Sequence, residues 1–145
     1  MDIRKFAVEE TGVLELRDAS GEPMVGEDGK PMTITGYGPG SSQYANAQAM
    51  QQNRMIDKLK GRGKTEQSAA EKLREQADFL AGCTKEFSSN IEMDDLKGDA
   101  LFKAVYSEKR IGFIAENFGK WLGDWGNFSK PSTTTSASTS GKAPG

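Results

Sequence analysis

Apolar and polar positions alternate in two short runs near the start of the chain. In Val13-Leu14-Glu15-Leu16-Arg17, Leu14 and Leu16 share one face, and in Pro31-Met32-Thr33-Ile34-Thr35, Met32 and Ile34 do the same. Ser20-Gly21 and Asp28-Gly29 between them are turn signals, so residues 1–38 predict a β-hairpin with a long loop. Gly38-Pro39-Gly40 breaks the pattern, and Ser41-Ser42 offers a helix cap. A helix is expected from about Gln43 to Lys60, with Tyr44, Ala47, Gln51, Met55 and Leu59 along one face and Ile56 beside it. Gly61 and Gly63 end it. Thr65 would cap a second helix over 66–82, whose inner stripe is Leu73, Ala77 and Leu80 below Ala69 and Ala70. The short glycine-bearing connection implies an antiparallel helical hairpin.

Residues 83–98 fit either a short strand or an irregular link, ending in a turn over Asp94–Gly98. A short helix over 99–106 buries Leu101, Phe102 and Val105, and Ser107 would cap a last helix from about Glu108 to Leu122 or further. Beyond Phe128 the chain has no large apolar residue, so 129–145 cannot offset its own ordering entropy and is expected to be disordered. The fold class is therefore α+β, mostly α: a hairpin lobe over 1–38, forming one folded domain with a bundle of about four helices over 39–128, then a Ser/Thr-rich tail. A chain of 145 residues suits a single core.

Composition narrows the chemistry. There is no histidine, which removes the commonest general base and metal ligand. Cys83 is alone, so no intramolecular disulfide forms, and its neighbours Leu80 and Ala81 suggest a buried structural thiol. The net charge of −2 gives no bulk attraction to nucleic acid or membrane, although residues 1–38 hold eight acids against four bases. No apolar run is long enough to span a bilayer, and the first residues lack a signal core, so a soluble, cytosolic chain is expected. Gly61-Arg62-Gly63-Lys64-Thr65 ends like a phosphate loop, but Lys58 stands where its first glycine belongs, and a helix is expected where a strand should precede. Arg54, Lys58, Lys60, Arg62 and Lys64 lack interleaved aromatics and read as a solvated helix end. Glu92, Asp94, Asp95 and Asp99 lack the bidentate terminal glutamate of a calcium loop and read as surface acids. No catalytic, cofactor or metal residues are assigned.

The last helix carries both tryptophans. At about 100° per residue, Ile111, Ile114, Phe118, Trp121, Leu122 and Trp125 fall in one arc, with Lys120 and Asp124 opposite. Gly112, Gly119, Gly123 and Gly126 cluster beside that arc, a seam that would admit another backbone. Ile111, Ile114 and Phe118 read as core. Phe113 falls on the polar side, and Trp121, Trp125 and Phe128 run past what a small body covers. The candidate partner-binding residues are thus Phe113, Phe118, Trp121, Leu122, Trp125 and Phe128.

Several segments together carry a resemblance. Val13–Asp18, Gly21-Glu22-Pro23, Asp28-Gly29-Lys30-Pro31, Tyr37–Ser41, Ala100–Tyr106 and Ile111–Ala115 resemble the tail assembly chaperones of long-tailed bacteriophages, over most of residues 11–128. The resemblance implies a non-enzymatic protein of the host cytoplasm. Such a protein coats the apolar, helical tape-measure protein, keeps it soluble, recruits tail tube protein and leaves before the virion is complete. It also implies a longer, frameshifted form of the chain, for which the tail would serve as linker. A homo-oligomer is compatible with it, and neither nucleic acid nor membrane is an expected partner. The alternative is a structural virion component, such as a minor tail or head–tail connector protein.

Overall fold

The computed structural model describes residues 1–62 and 68–129. Strands β1 (Thr11–Glu15), β2 (Thr33–Tyr37) and β3 (Thr84–Phe87) form an antiparallel sheet in the order β1-β2-β3. Helices α1 (Ser42–Arg62), α2 (Ala69–Gly82), α3 (Gly98–Ser107) and α4 (Gly112–Leu122) complete the body. The α+β, mostly α expectation holds, and the ambiguous stretch after Cys83 resolves as a strand. That strand ties the hairpin into the helical body, pairing Ile34 with Phe87 and Gly36 with Thr84.

The hairpin pairs Val13 with Thr35 and Leu14 with Ile34, and extends to Gly12–Gly36 and Thr11–Tyr37. The paired arms therefore lie two residues further from the loop than the alternation of Val13–Arg17 and Pro31–Thr35 suggests. Glycine carries no side chain to mark a face, so the sequence pattern fades where the sheet continues. The loop itself is ordered. Asp18 Oδ1 accepts from the Ser20 and Glu22 amides, and Gly21 and Gly29 take the positive φ values their turns require. Leu16 donates to Met32, Met32 to Met24 and Met24 back to Leu16, a closed ring of backbone bonds. Asn90 Nδ2 donates to Asp28 Oδ1 and the Lys30 carbonyl, clamping the loop to the segment after β3.

Ser41 Oγ caps α1 through the Tyr44 amide. The expected cap Thr65 lies outside the described residues; Ser68 caps α2 in a reciprocal box with Glu71. The two helices run antiparallel, with Ala47 beside Gly82, Arg54 paired to Asp78 at 3.2 Å, and Lys58 paired to Glu75. Ser107 does not cap the last helix. Its hydroxyl donates back to the Lys103 carbonyl, and Glu108 instead caps a 3₁₀ turn, Lys109–Ile111, that leads into α4. Of the expected tail, 129–145, all but Ser129 lies outside the described residues.

One sheet face carries the core. Phe102, Phe87, Tyr106, Phe118, Trp121 and Phe128 form a chain of ring contacts with centroids 4.7–5.8 Å apart. Three glycines of the sheet and its exit make room for it. A Cβ on Gly36 would lie 2.8 Å from Phe118, and one on Gly38 would lie 2.5 Å from Phe128, while Gly12 also faces Phe128. Beneath the rings, Tyr106 Oη meets Thr84 Oγ1 at 2.7 Å, and that hydroxyl bonds the Leu80 carbonyl.

Gly38→Ala should therefore destabilise the fold by about 1–3 kcal/mol, because the displaced Phe128 ring is enclosed. Gly119→Ala on α4 has only an ordinary 3.9 Å neighbour, Leu80, and should gain about 0.5–1 kcal/mol. Urea unfolding of both variants checks this, and equal effects would refute the packing account.

Candidate docking surfaces

Helix α4 ends at Leu122, earlier than its apolar periodicity suggests. Gly123 follows, Asp124 caps a 3₁₀ turn over Trp125–Phe128, and Asn127 Nδ2 donates to the Trp121 carbonyl at the helix end. The chain thus folds back and inserts Phe128 between Gly12 and Gly38. Angles extrapolated past Leu122 do not apply, and Trp125 is not on the α4 stripe.

The six expected partner-binding residues separate accordingly. Phe118, Leu122 and Phe128 are fully buried in the chain's own core: Phe118 is there as its core reading expected, and burial takes all three out of the partner-binding set. The reason is the glycine-lined sheet, which accepts rings that a side-chain-covered sheet would exclude. Trp121 is half-buried, held between Phe118 and Phe128. Phe113, expected on the polar side, is half-buried against the core. Trp125 alone of the six is open to solvent, 57% exposed, near Gly40 and Val8. The glycine seam is not continuous either: Gly119 faces Leu80, and Gly126 lies beyond the helix.

The apolar surface that remains lies elsewhere. Met50, Met55, Ile56 and Leu59 on α1 are all exposed, Met55 at 61%. The inward stripe expected for α1 holds only at Tyr44 and Ala47; Gln51, Met55 and Leu59 face out. The cause is that α1 packs chiefly on one neighbour, α2, and its distal half is fastened there by Arg54–Asp78 and Lys58–Glu75 rather than by apolar contact. The basic run thus supplies two of its members to ion pairs. Beside Met55, a groove of about 290 Å³ runs between the helices, lined by Gln51, Gln52, Lys72, Glu75 and Gln76. The signal for this surface was present in the sequence as a stripe diluted by glutamine.

Other candidate chemistry falls into place. Among the described residues, no three His, Cys, Asp or Glu side chains group as a metal site, and no helix is long and apolar enough to cross a membrane. Of the loop resembling a phosphate site, Gly63, Lys64 and Thr65 lie outside the described residues; α1, not a strand, precedes them. Glu92, Asp94, Asp95 and Asp99 are exposed, and Asp99 pairs with Lys103 at 3.0 Å. Cys83 is fully buried, and that burial pushes its thiol up to about 12. Burial likewise raises Tyr106 above its ordinary value, opposed by its bond to Thr84.

Compared with known protein families, curated proteins and solved structures, the chain matches none.

Two outcomes follow. Trp121→Ala should cost about 3 kcal/mol or more by removing a packed ring, whereas Trp125→Ala should stay within about 0.5 kcal/mol, both read by urea unfolding. Cys83 and Tyr106 bind their protons more tightly folded than unfolded. For Cys83 this stabilisation is complete below pH 9.0, the ordinary value for the thiol, and is lost as pH rises toward about 12; for Tyr106 the loss begins only at its ordinary value of 10.0. Each group contributes a slope of about 1.4 kcal/mol per pH unit once its unfolded form ionises. Unfolding measured across this window should show the decline, and Cys83→Ala should remove the part that begins near pH 9.0 while leaving that of Tyr106.

Proposed function

We propose that this chain is a tail assembly chaperone of a long-tailed phage, which binds the tape-measure protein, keeps it soluble and recruits tail tube subunits. The observation that carries the reading is the solvent-facing cluster Met55, Ile56 and Leu59 on α1, of which Met55 lines the α1–α2 groove. Such a surface suits an apolar helix from another chain laid into a groove. Methionine adapts its shape to irregular partners, which favours many similar contacts along one long helix over a single tight one. Weak contacts repeated along such a partner add through effective concentration. Trp125, near Gly40 and Val8, is a separate exposed indole, open to an incoming chain. The resemblance of the hairpin, loop and α3–α4 motifs to such chaperones supports the phage assignment and the expectation that the protein acts in the host cytoplasm and leaves before the virion is complete. The same resemblance supports a longer, frameshifted form.

Co-expression tests the reading. The wild-type chain should keep tape-measure protein in the soluble fraction. Met55→Glu with Leu59→Glu should reduce that fraction about tenfold or more, since buried anchors dominate such interfaces. Both positions are exposed, so the variant's own stability should change by less than about 0.5 kcal/mol. Full solubilisation by a folded double variant would remove α1 from the docking surface. A stoichiometric band in purified particles would favour a structural virion component instead.

A further inference from the structure

A second apolar feature lies at the loop end of the sheet. Leu16, Met24, Met32, Ile91, Met93 and Ile111 enclose a pocket of about 160 Å³ with Glu92 among its lining residues. The closed ring of backbone bonds joining Leu16, Met24 and Met32 builds one wall. Its volume is about half the lower bound for a small-molecule site, the scale of one large side chain. A shallower hollow shares Phe87, Ile91, Glu92 and Met93 with it and adds Asp94, Asp95 and Lys97, so three acids meet one base around the joint opening. Asp94 and Asp95 both hold positive φ, an uncommon backbone for residues other than glycine.

The chain also exposes a segment of the opposite character. Ile3 and Phe6 are 81% and 70% exposed in the 3₁₀ turn Ile3–Phe6, with Arg4 and Lys5 between them. In a 3₁₀ turn, residues three apart eclipse, so both apolar side chains share one side. Asp2 caps the turn through the Arg4 amide and pairs with the Arg4 guanidinium, which fixes the shape in advance.

We propose that the Ile3–Phe6 arm of one copy of this chain docks on a second copy, with Phe6 in the methionine-lined pocket and Arg4 and Lys5 against Glu92, Asp94 and Asp95. The arm cannot reach its own pocket. Val8 is packed beside Gly40, and the Glu9 amide is bonded to the Phe128 carbonyl, at the far end of β1. Phe6 extends at most about 7 Å beyond Val8. The pocket begins at Leu16, past the five residues of β1, a span of about 17 Å. The contact joins two different patches, so two copies close a dimer by exchanging arms, and a copy lacking its arm or its pocket keeps the other half free.

Sedimentation of the full chain, alone and up to about 1 mM, tests this without any tape-measure protein, so its outcome is separate from that of the proposed function. Wild type should associate, more weakly at higher salt. Phe6→Glu, which removes the anchor, should raise the dissociation constant about thirty-fold. Glu92→Lys with Asp94→Asn and Asp95→Asn should do the same; asparagine tolerates the left-handed backbone, so the loop is kept. Mixed together, the two variants should pair, because one retains the pocket and the other the arm. A monomeric wild type, variants that associate as tightly as wild type, or a mixture that stays monomeric would each overturn the proposal, the second of these pointing to another occupant such as the α1 face.

Discussion

The contact on which the fold depends is that of aromatic rings with a sheet that lacks side chains beneath them. Phe118 and Trp121 lie over Gly36, and Phe128 fills the space at Gly12 and Gly38. Any Cβ at Gly36 or Gly38 would sit closer than 3.0 Å to a ring atom, tighter than folded chains accept. The glycines cost strand propensity, and the rings offset that cost with large apolar contact areas. Because Phe87 and Tyr106 continue the same column, β3, α3 and α4 are all positioned by it.

This arrangement determines which apolar residues remain for a partner. The small body covers the α4 stripe without help, since its sheet face is recessed. A helix with one neighbour is in the reverse situation. α1 meets α2 through the Tyr44–Phe79 ring pair, Ala47, Gly82 and two ion pairs, and its outer side meets no other element among the described residues. The candidate surface therefore moves from the aromatic-rich end of the sequence to a glutamine-rich helix with less apolar content.

Much of the architecture was legible in the sequence because it is local. The turns at Gly21 and Gly29, the Ser41 cap and the short helix carrying Leu101 and Val105 are all read from neighbouring residues. What was hidden depends on partners distant in the chain. The burial of Phe128 requires Gly12 and Gly38, ninety residues or more earlier in sequence. The end of α4 was obscured because apolar residues continue at helical spacing after Leu122, while Asp124 and Asn127 redirect the backbone. The inward or outward sense of Met55 and Leu59 could not be read from α1 itself, since it depends on how many helices pack against it.

The character of α1 also bears on reversibility. On the proposed reading, a protein that shields another and then departs needs a surface whose occupation and release both lie within a few kcal/mol. Ion pairs that are partly solvated, such as Arg54–Asp78, contribute little stability each, and an element with few buried apolar contacts opens at lower cost than the core. The α1–α2 ion pairs lie apart from the ring column, which is anchored on α3, α4 and the sheet. Trp125 lacks that freedom of its element, because the turn that carries it is fixed by Phe128 beneath. The same molecule thus joins a half specified by glycine and aromatic complementarity to a helix whose distal part is held by charge.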